Sequence, residues 1–134
     1  PLLKAAWMKP GAFYSHVGGW EDEYEVALQC DKIVCDDWET VTHRTQTLSR
    51  MYAEGLLSGD DIHADLHELV AKQKMGRESD DERIYFNAVG LAYIDVAIGL
   101  AMYNRALSTC SGAKLDLQQC MIFEHQDINK WVRL

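Results

Sequence analysis

Clustered cations, a leader-like segment, a long uninterrupted apolar run and a dense set of cysteines are all missing from this sequence. Lys and Arg number 13 against 21 Asp and Glu, for a formal net charge of -8. The cations are scattered without a run, which excludes a nucleic-acid surface, since that needs cations grouped to face phosphates. No segment joins a cationic start to an apolar stretch as a signal peptide does. The most apolar stretch, Val89 to Leu107, is interrupted by Asp95 and Asn104, which argues against a membrane span. The four cysteines, Cys30, Cys35, Cys110 and Cys120, are too few for a disulfide-stapled mini-domain and are expected as reduced thiols in a cytoplasmic protein. Cys30 and Cys35 flank an apolar run, the wrong setting for a zinc knuckle, and no metal is expected. There is also no initiator Met: the sequence begins at Pro1, so a processed, cleaved or excised chain is expected. What remains is an ordinary globular balance, 48% hydrophobic and 25% charged, over 134 residues. A chain of that size can bury about two thirds of its unfolded surface.

Strand and helix signals alternate along the chain. Lys9-Pro10-Gly11 is a turn signal before a strand over Ala12 to Val17, which Gly18-Gly19 ends. Glu21 to Gln29 is compatible with a helix, and Lys32 to Cys35 reads as a second strand closed by Asp36-Asp37. Strand, helix, strand in this order points to an α/β fold with a parallel sheet. A single helix is expected over Trp38 to Tyr52, with Gly55 as its stop, and another from Ser58 through Val70, closed by Gly76. Ser79 to Glu82 is either a capping box or a turn before a strand over Arg83 to Phe86. Val89 to Leu107 is apolar on nearly every side, as in helices that are buried or sit in a subunit interface. Ala113 to Leu117 reads as a last short strand.

The string Gly76-Arg77-Glu78-Ser79-Asp80-Asp81-Glu82, then Ile84 to Ala92 and Asp95-Val96-Ala97, closely resembles a signature of the ornithine cyclodeaminase and mu-crystallin family. Trp7 to Ala12 with Val17-Gly18-Gly19 is similar to a strand of that family, and Asp36-Asp37 to another strand end; together the matches run from residue 1 to about 118. The resemblance implies the C-terminal half of an NAD- or NADP-dependent enzyme acting on small amino or imino acids. Residues 1–60 would be the later part of a Rossmann domain, and 61–134 the interface helices and strand of the substrate-binding and dimerisation domain. No G-x-G-x-x-G occurs, because Gly18, Gly19, Gly55, Gly59, Gly76 and Gly90 have the wrong spacings. The resemblance therefore implies a complementary N-terminal-half polypeptide to supply the phosphate loop and the substrate-carboxylate contacts, and a homo- or hetero-oligomer. The alternative is a degenerate, non-enzymatic binding or regulatory protein that keeps the dimerisation helices.

Among single residues, Val17, Gly18 and Gly19 sit where the family brings backbone against the nicotinamide, and small residues permit that approach. Asn87 to Gly90 opens the long apolar helix, so its backbone N–H groups are expected at a polar group of the cofactor or at a substrate carboxylate, and Phe86 either packs near the nicotinamide or fills the core. His16, just before the glycines, is the candidate general acid or base, and Asp22 (or Glu21) a carboxylate for acid–base work, against bland readings as a core histidine and solvated loop acids. Trp20, Tyr24 and Ala88 replace an Asp, a Lys and a Ser of the family's cyclodeaminases, so the resemblance does not extend to ornithine as substrate. His63 and His67 are spaced i, i+4 on an expected helix, a zinc-like spacing with no third ligand nearby. Pro1-Leu2-Leu3 resembles the start of tautomerases, but nothing beyond it does.

Overall fold

In the computed structural model, residues 1–113 are described, and the strand expected over Ala113 to Leu117, like Cys120, falls wholly or almost wholly beyond them. Residues Pro1–Ala92 form one compact unit. Its elements are β1 (Phe13–His16), α1 (Tyr24–Leu28), β2 (Lys32–Cys35), α2 (Trp38–Thr42), α3 (Thr47–Ala53), β3 (Ala64–Asp65), α4 (Leu66–Val70) and β4 (Ile84–Asn87). The strands form one parallel sheet in the order β1-β4-β2-β3. The last strand in sequence lies between the first two, and β4, from beyond residue 60, completes the sheet they begin.

Alternation along the strands divides the sheet into two faces. Tyr14, His16, Ile33, Cys35, Tyr85 and Asn87 share one face, and Ile33, Cys35 and Tyr85 pack there with Val26, Ala27, Val41, Leu48 and Met51 of the first three helices. Each large side chain fully buried here, such as Leu48 or Met51, contributes about 1.5–3 kcal/mol. Packing of this kind, more than propensity, stabilises helices of five to seven residues. The other face carries Phe13, Val34, Ile84 and Phe86, which with Leu66, Leu69, Lys32, Gly76 and Arg77 line an apolar cavity of about 330 Å³.

Two expected helices are broken, each for a tertiary reason. The helix expected over Trp38 to Tyr52 is divided into α2 and α3 at His43–Gln46. Asp37 caps α2 by accepting from the Thr40 N–H at 2.9 Å, and the Val41 carbonyl accepts from the Arg44 N–H at 3.1 Å and from Ser49 Oγ at 2.6 Å. Gln46 leaves helical geometry (φ -70, ψ 173) and turns its amide toward the strand ends. Gly55 does stop α3. At φ +73 it lets its own N–H and that of Leu56 reach back to the Tyr52 and Met51 carbonyls, a Schellman closure. The helix expected after Ser58 is instead a 3₁₀ turn (Gly59–Asp61), then β3, then α4, because Ala64 and Asp65 pair with Val34 and Cys35. His63 thus precedes β3 while His67 lies on α4, so the two do not share a helix face. Gly76 closes no helix; its carbonyl accepts from Lys32 Nζ at 2.6 Å.

Ser79 to Glu82 resolves as a turn before β4, and the string around it latches the N-terminal ends of the strands together. Arg77 donates to the Ser79, Glu82 and Gly11 carbonyls at 3.3, 2.5 and 3.1 Å. Gly11, at φ +73, is packed so closely that a Cβ would overlap the Asp80 carbonyl oxygen. Asp31 accepts from the Arg83 N–H at 2.7 Å, and Lys32 pairs with Glu78 at 2.6 Å and Glu82 at 3.2 Å.

α5 (Ala92–Ser108) is described by itself. None of its residues is buried: Tyr93, Val96, Met102 and Tyr103 are among those exposed. Among the described residues no helix is long and apolar enough to cross a membrane.

Candidate functional site

Parallel sheets bind ligands beyond the carboxyl ends of their strands. Here three segments gather at that end: Val17–Gly19 after β1, Ala88–Gly90 after β4 and Asp36-Asp37 after β2. Each loop is held by side-chain atoms acting on its main chain. Glu21 Oε1 accepts from the Val17 and Gly18 N–H groups at 3.0 and 3.1 Å. Burial alone would raise the Glu21 carboxyl, but the Gly18 and Val17 N–H groups and nearby His16 hold it below the usual carboxylate range. A Cβ on Gly18 would lie 2.6 Å from Glu21 Oε2 and would push that carboxylate aside, whereas a Cβ on Gly19 would meet nothing within 4 Å. Asp36 Oδ2 accepts from the Val89 and Gly90 N–H groups, both at 2.9 Å, and Gly90 closes that turn at φ +82.

Gln46 joins the two loops. Its Nε2 donates to the Val17, Gly18 and Ala88 carbonyls at 3.2, 2.9 and 3.1 Å, and its Oε1 accepts from Asn87 Nδ2 at 2.8 Å. Sequence reasoning missed Gln46, as it lay inside an apparently continuous helix, and took Asp36 only as a strand end. Outside the loops an open cleft of about 420 Å³ is lined by Gly18, Gly19, His43, Arg44, Thr45, Gln46 and Val89.

Beneath the loops lies a buried polar cluster. His16 and Asp22 are both 0% exposed. Asp22 Oδ1 contacts His16 Nδ1 at 2.9 Å and accepts from Thr47 Oγ1 at 2.5 Å, while Oδ2 accepts from the Tyr85 hydroxyl at 2.8 Å. The His16 ring stacks on Tyr85 at 5.8 Å. Burial, then the Asp22 charge, pushes both the Tyr85 and the Tyr14 hydroxyls well above the usual tyrosine value. The bland reading of Asp22 as a solvated loop acid is overturned: a carboxylate with three polar partners in the core ties the loop to β1, β4 and α3. Glu21 is the member of that pair at the surface.

The structure therefore brings Val17, Gly18 and Gly19 together on one loop, with His16, Asp22 and fully buried Asn87 below it. It separates Phe86 from them. Phe86 points to the opposite sheet face from Asn87 and stacks on Phe13 at 6.3 Å, because successive strand residues alternate. Trp20 and Tyr24, two of the departures from the cyclodeaminase pattern, form a surface group: Arg50 lies 4.8 Å over the Trp20 ring and the Tyr24 hydroxyl donates to Glu54 at 2.8 Å. Among the described residues no cluster of His, Cys, Asp and Glu could hold a metal. The described cysteines are free thiols. Burial, followed by the charge of Asp31, raises the Cys30 thiol to about 11, so it is no ready nucleophile.

Comparison with known proteins gives a consistent set of likenesses. N-((2S)-2-amino-2-carboxyethyl)-L-glutamate dehydrogenase of Staphylococcus aureus is 33% identical over 117 residues, covering 87% of this chain and 35% of the relative. A Thermococcus litoralis Δ1-pyrroline-2-carboxylate reductase, solved with NADH and L-proline, superposes with a TM-score of 0.77 at 31% identity, over 86% of this chain and 37% of that one. An archaeal alanine dehydrogenase dimer with bound NAD gives 0.75 at 33% identity, over 88% and 38%. The chain thus spans little more than a third of the length of these relatives. The ornithine cyclodeaminase/mu-crystallin family model matches residues 1–110. The expectation that the chain as a whole is the C-terminal half of such an enzyme is corrected to this extent: its N-terminal part carries the family match. With that much of the sequence matched and the fold shared with solved relatives, the chain belongs to the ornithine cyclodeaminase/mu-crystallin family.

Proposed function

We propose that this chain contributes part of a nicotinamide-dependent oxidoreductase site acting on a small amino or imino acid. The observation that carries the reading is the pair of loops at the carboxyl ends of β1 and β4. Gly19 on the first loop offers main chain with no side chain beside it, since even a Cβ there would touch nothing within 4 Å. Such a surface fits a flat ring approaching the backbone. The relatives support the class of chemistry, being named as dehydrogenases and a reductase of amino or imino acids, two of them solved with NAD or NADH.

NAD or NADP would supply hydride transfer at the substrate's α-carbon. This chain's residues do the rest: Val17–Gly19 presents backbone to the nicotinamide end, and Asn87 and Gln46 fix the height of the two loops. His16 and Asp22, both buried, position rather than touch. Phe86 belongs to this site only if the assembled enzyme wraps the cofactor around the sheet edge. The pyrophosphate needs a glycine loop that this sequence does not contain, and the resemblance puts the cations that hold the substrate carboxylate in an N-terminal half, so a complementary polypeptide carrying that half supplies both, in an oligomer. The degenerate-binder reading rests on one observation, the Trp20–Arg50 stack where cyclodeaminases carry an acid.

Titration of NAD(P)H fluorescence against the chain alone, and against the chain co-expressed with a polypeptide bearing a G-x-G-x-x-G strand–turn–helix, tests the proposal. Micromolar binding only in the second case, with both chains in one native mass, is expected. Micromolar binding by this chain alone would remove the need for a complementary part, and no binding in either case would favour the degenerate binder.

A further inference from the structure

The buried cluster beneath the loops contains two polar atoms whose chemistry is fixed by their neighbours. His16 Nε2 and Asn87 Oδ1 are fully buried and have no hydrogen-bond partner among the described residues. His16 and Asn87 pair directly in the register of β1 with β4, on the same sheet face. Adjacent strands run about 4.8 Å apart.

The identity of each atom follows from its other end. Asp22 is the acceptor of a short bond from Thr47 Oγ1 and of another from the Tyr85 hydroxyl. At 2.9 Å from His16 Nδ1 it makes a third contact, and for an acceptor carboxylate that contact requires Nδ1 to carry the proton. In the Nδ1–H tautomer Nε2 is a lone-pair acceptor. Asn87 spends its Nδ2 on Gln46 Oε1 at 2.8 Å, and Oδ1 is an acceptor in any case. Two acceptors on neighbouring strands cannot satisfy each other, and leaving both bare forfeits the hydrogen bonds that each would make with water in the unfolded chain. One small molecule with two protons to donate satisfies both, and buried polar sites of this kind are filled by water.

We propose that His16 Nε2 and Asn87 Oδ1 form an internal water-binding site, with Asp22 fixing His16 as the Nδ1–H tautomer. The bound water donates to both atoms. It closes a continuous chain from Asp22 through His16, water, Asn87 and Gln46 to the carbonyls of Val17, Gly18 and Ala88. Asp22 is in this sense a positioning residue for the loops. The inference does not depend on the redox reading, since it concerns only the core of the sheet.

The test is nuclear magnetic resonance of the full chain labelled with ¹⁵N-histidine at neutral pH, with no cofactor or partner added. The expected result is an Nδ1-protonated ring with a bare Nε2, the minority tautomer in free histidine, and cross-relaxation from a long-lived water to both the His16 ring and the Asn87 side-chain amide. Asp22→Asn, of the same shape, offers Nδ1 a donor and should move the proton to Nε2, with loss of the water signal. An Nε2–H or doubly protonated ring in the unaltered chain overturns the proposal. So does a water signal at neither or only one of the two residues.

Discussion

The two ends of the sheet are built from similar parts and left in different states. At the amino ends of the strands, Arg77 and Lys32 spend their protons on carbonyls and carboxylates of the segment from Gly76 to Glu82 and on Gly11, so the segments close on one another. At the carboxyl ends, Glu21, Asp36 and Gln46 hold the loops from behind, and the outward backbone of Gly19 stays open. The Gly76 to Glu82 part of the string that makes the family recognisable is thus a latch, at the opposite strand ends from the loops that face the cleft. A conspicuous motif can record what holds strands in register, while the proposed site is marked by Gly19, where an added Cβ would meet nothing within 4 Å.

The comparison breaks most severely below the loops. Asp22→Ala should destabilise the chain by about 3–5 kcal/mol, since it leaves a buried histidine and two buried hydroxyls without their acceptor; a urea midpoint unchanged from the parent would show that the cluster does not hold β1, β4 and α3 together. At the latch, Gly11→Ala forces φ +73 on a residue with a Cβ against the Asp80 carbonyl and should cost about 2 kcal/mol by the same measurement. Nicotinamide binding in the assembled enzyme should be unaffected.

Asp37→Ala, which removes the cap of α2, should cost about 1 kcal/mol in thermal or urea melts. Smallest in stability is Gly19→Ala, within about 0.5 kcal/mol of the parent because the added methyl meets nothing. It should nonetheless weaken nicotinamide binding once the complementary part is present. If it leaves binding intact, the loop does not face the cofactor.

The ends also differ in how they titrate. Glu21 at one end and Glu82 at the other are held below the usual carboxylate value, Glu82 chiefly by the Glu78 N–H and, against some burial, by Lys32. A depressed carboxyl contributes stability that is present above its unfolded pKa and lost as pH falls through the folded one. Lys32, Tyr14 and Tyr85 are raised, Lys32 first by its bond to Glu78, so their contribution is complete below the ordinary Lys and Tyr values and lost as pH rises through the folded ones. Glu82→Gln should flatten both arms of the stability profile at the latch through Lys32, whereas Glu21→Gln should flatten the acid arm and, because Glu21 helps to raise Tyr14, a part of the alkaline arm.

Strands β1 and β2, the turn at Gly11 and the stop at Gly55 could be read from the sequence because each rests on neighbours within a few residues: a period of two, a proline-glycine pair, a glycine free to take positive φ. The loop glycines could be read through the family resemblance. The division of α2 from α3 and the strand made from Ala64 and Asp65 could not, since each depends on a partner 25 or more residues away; the opposed directions of Phe86 and Asn87 follow from the period of two along β4.

By itself, the sequence determined the class of the fold, the family and the place where backbone could be laid bare. Tertiary structure alone decided that β4 enters between β1 and β2, and that decision places Asn87 beside His16 and Tyr85 over Asp22. Local propensity can specify that a strand forms. Which strand lies beside it, and hence whether a carboxylate meets water or three donors in the core, is set only when the chain closes on itself.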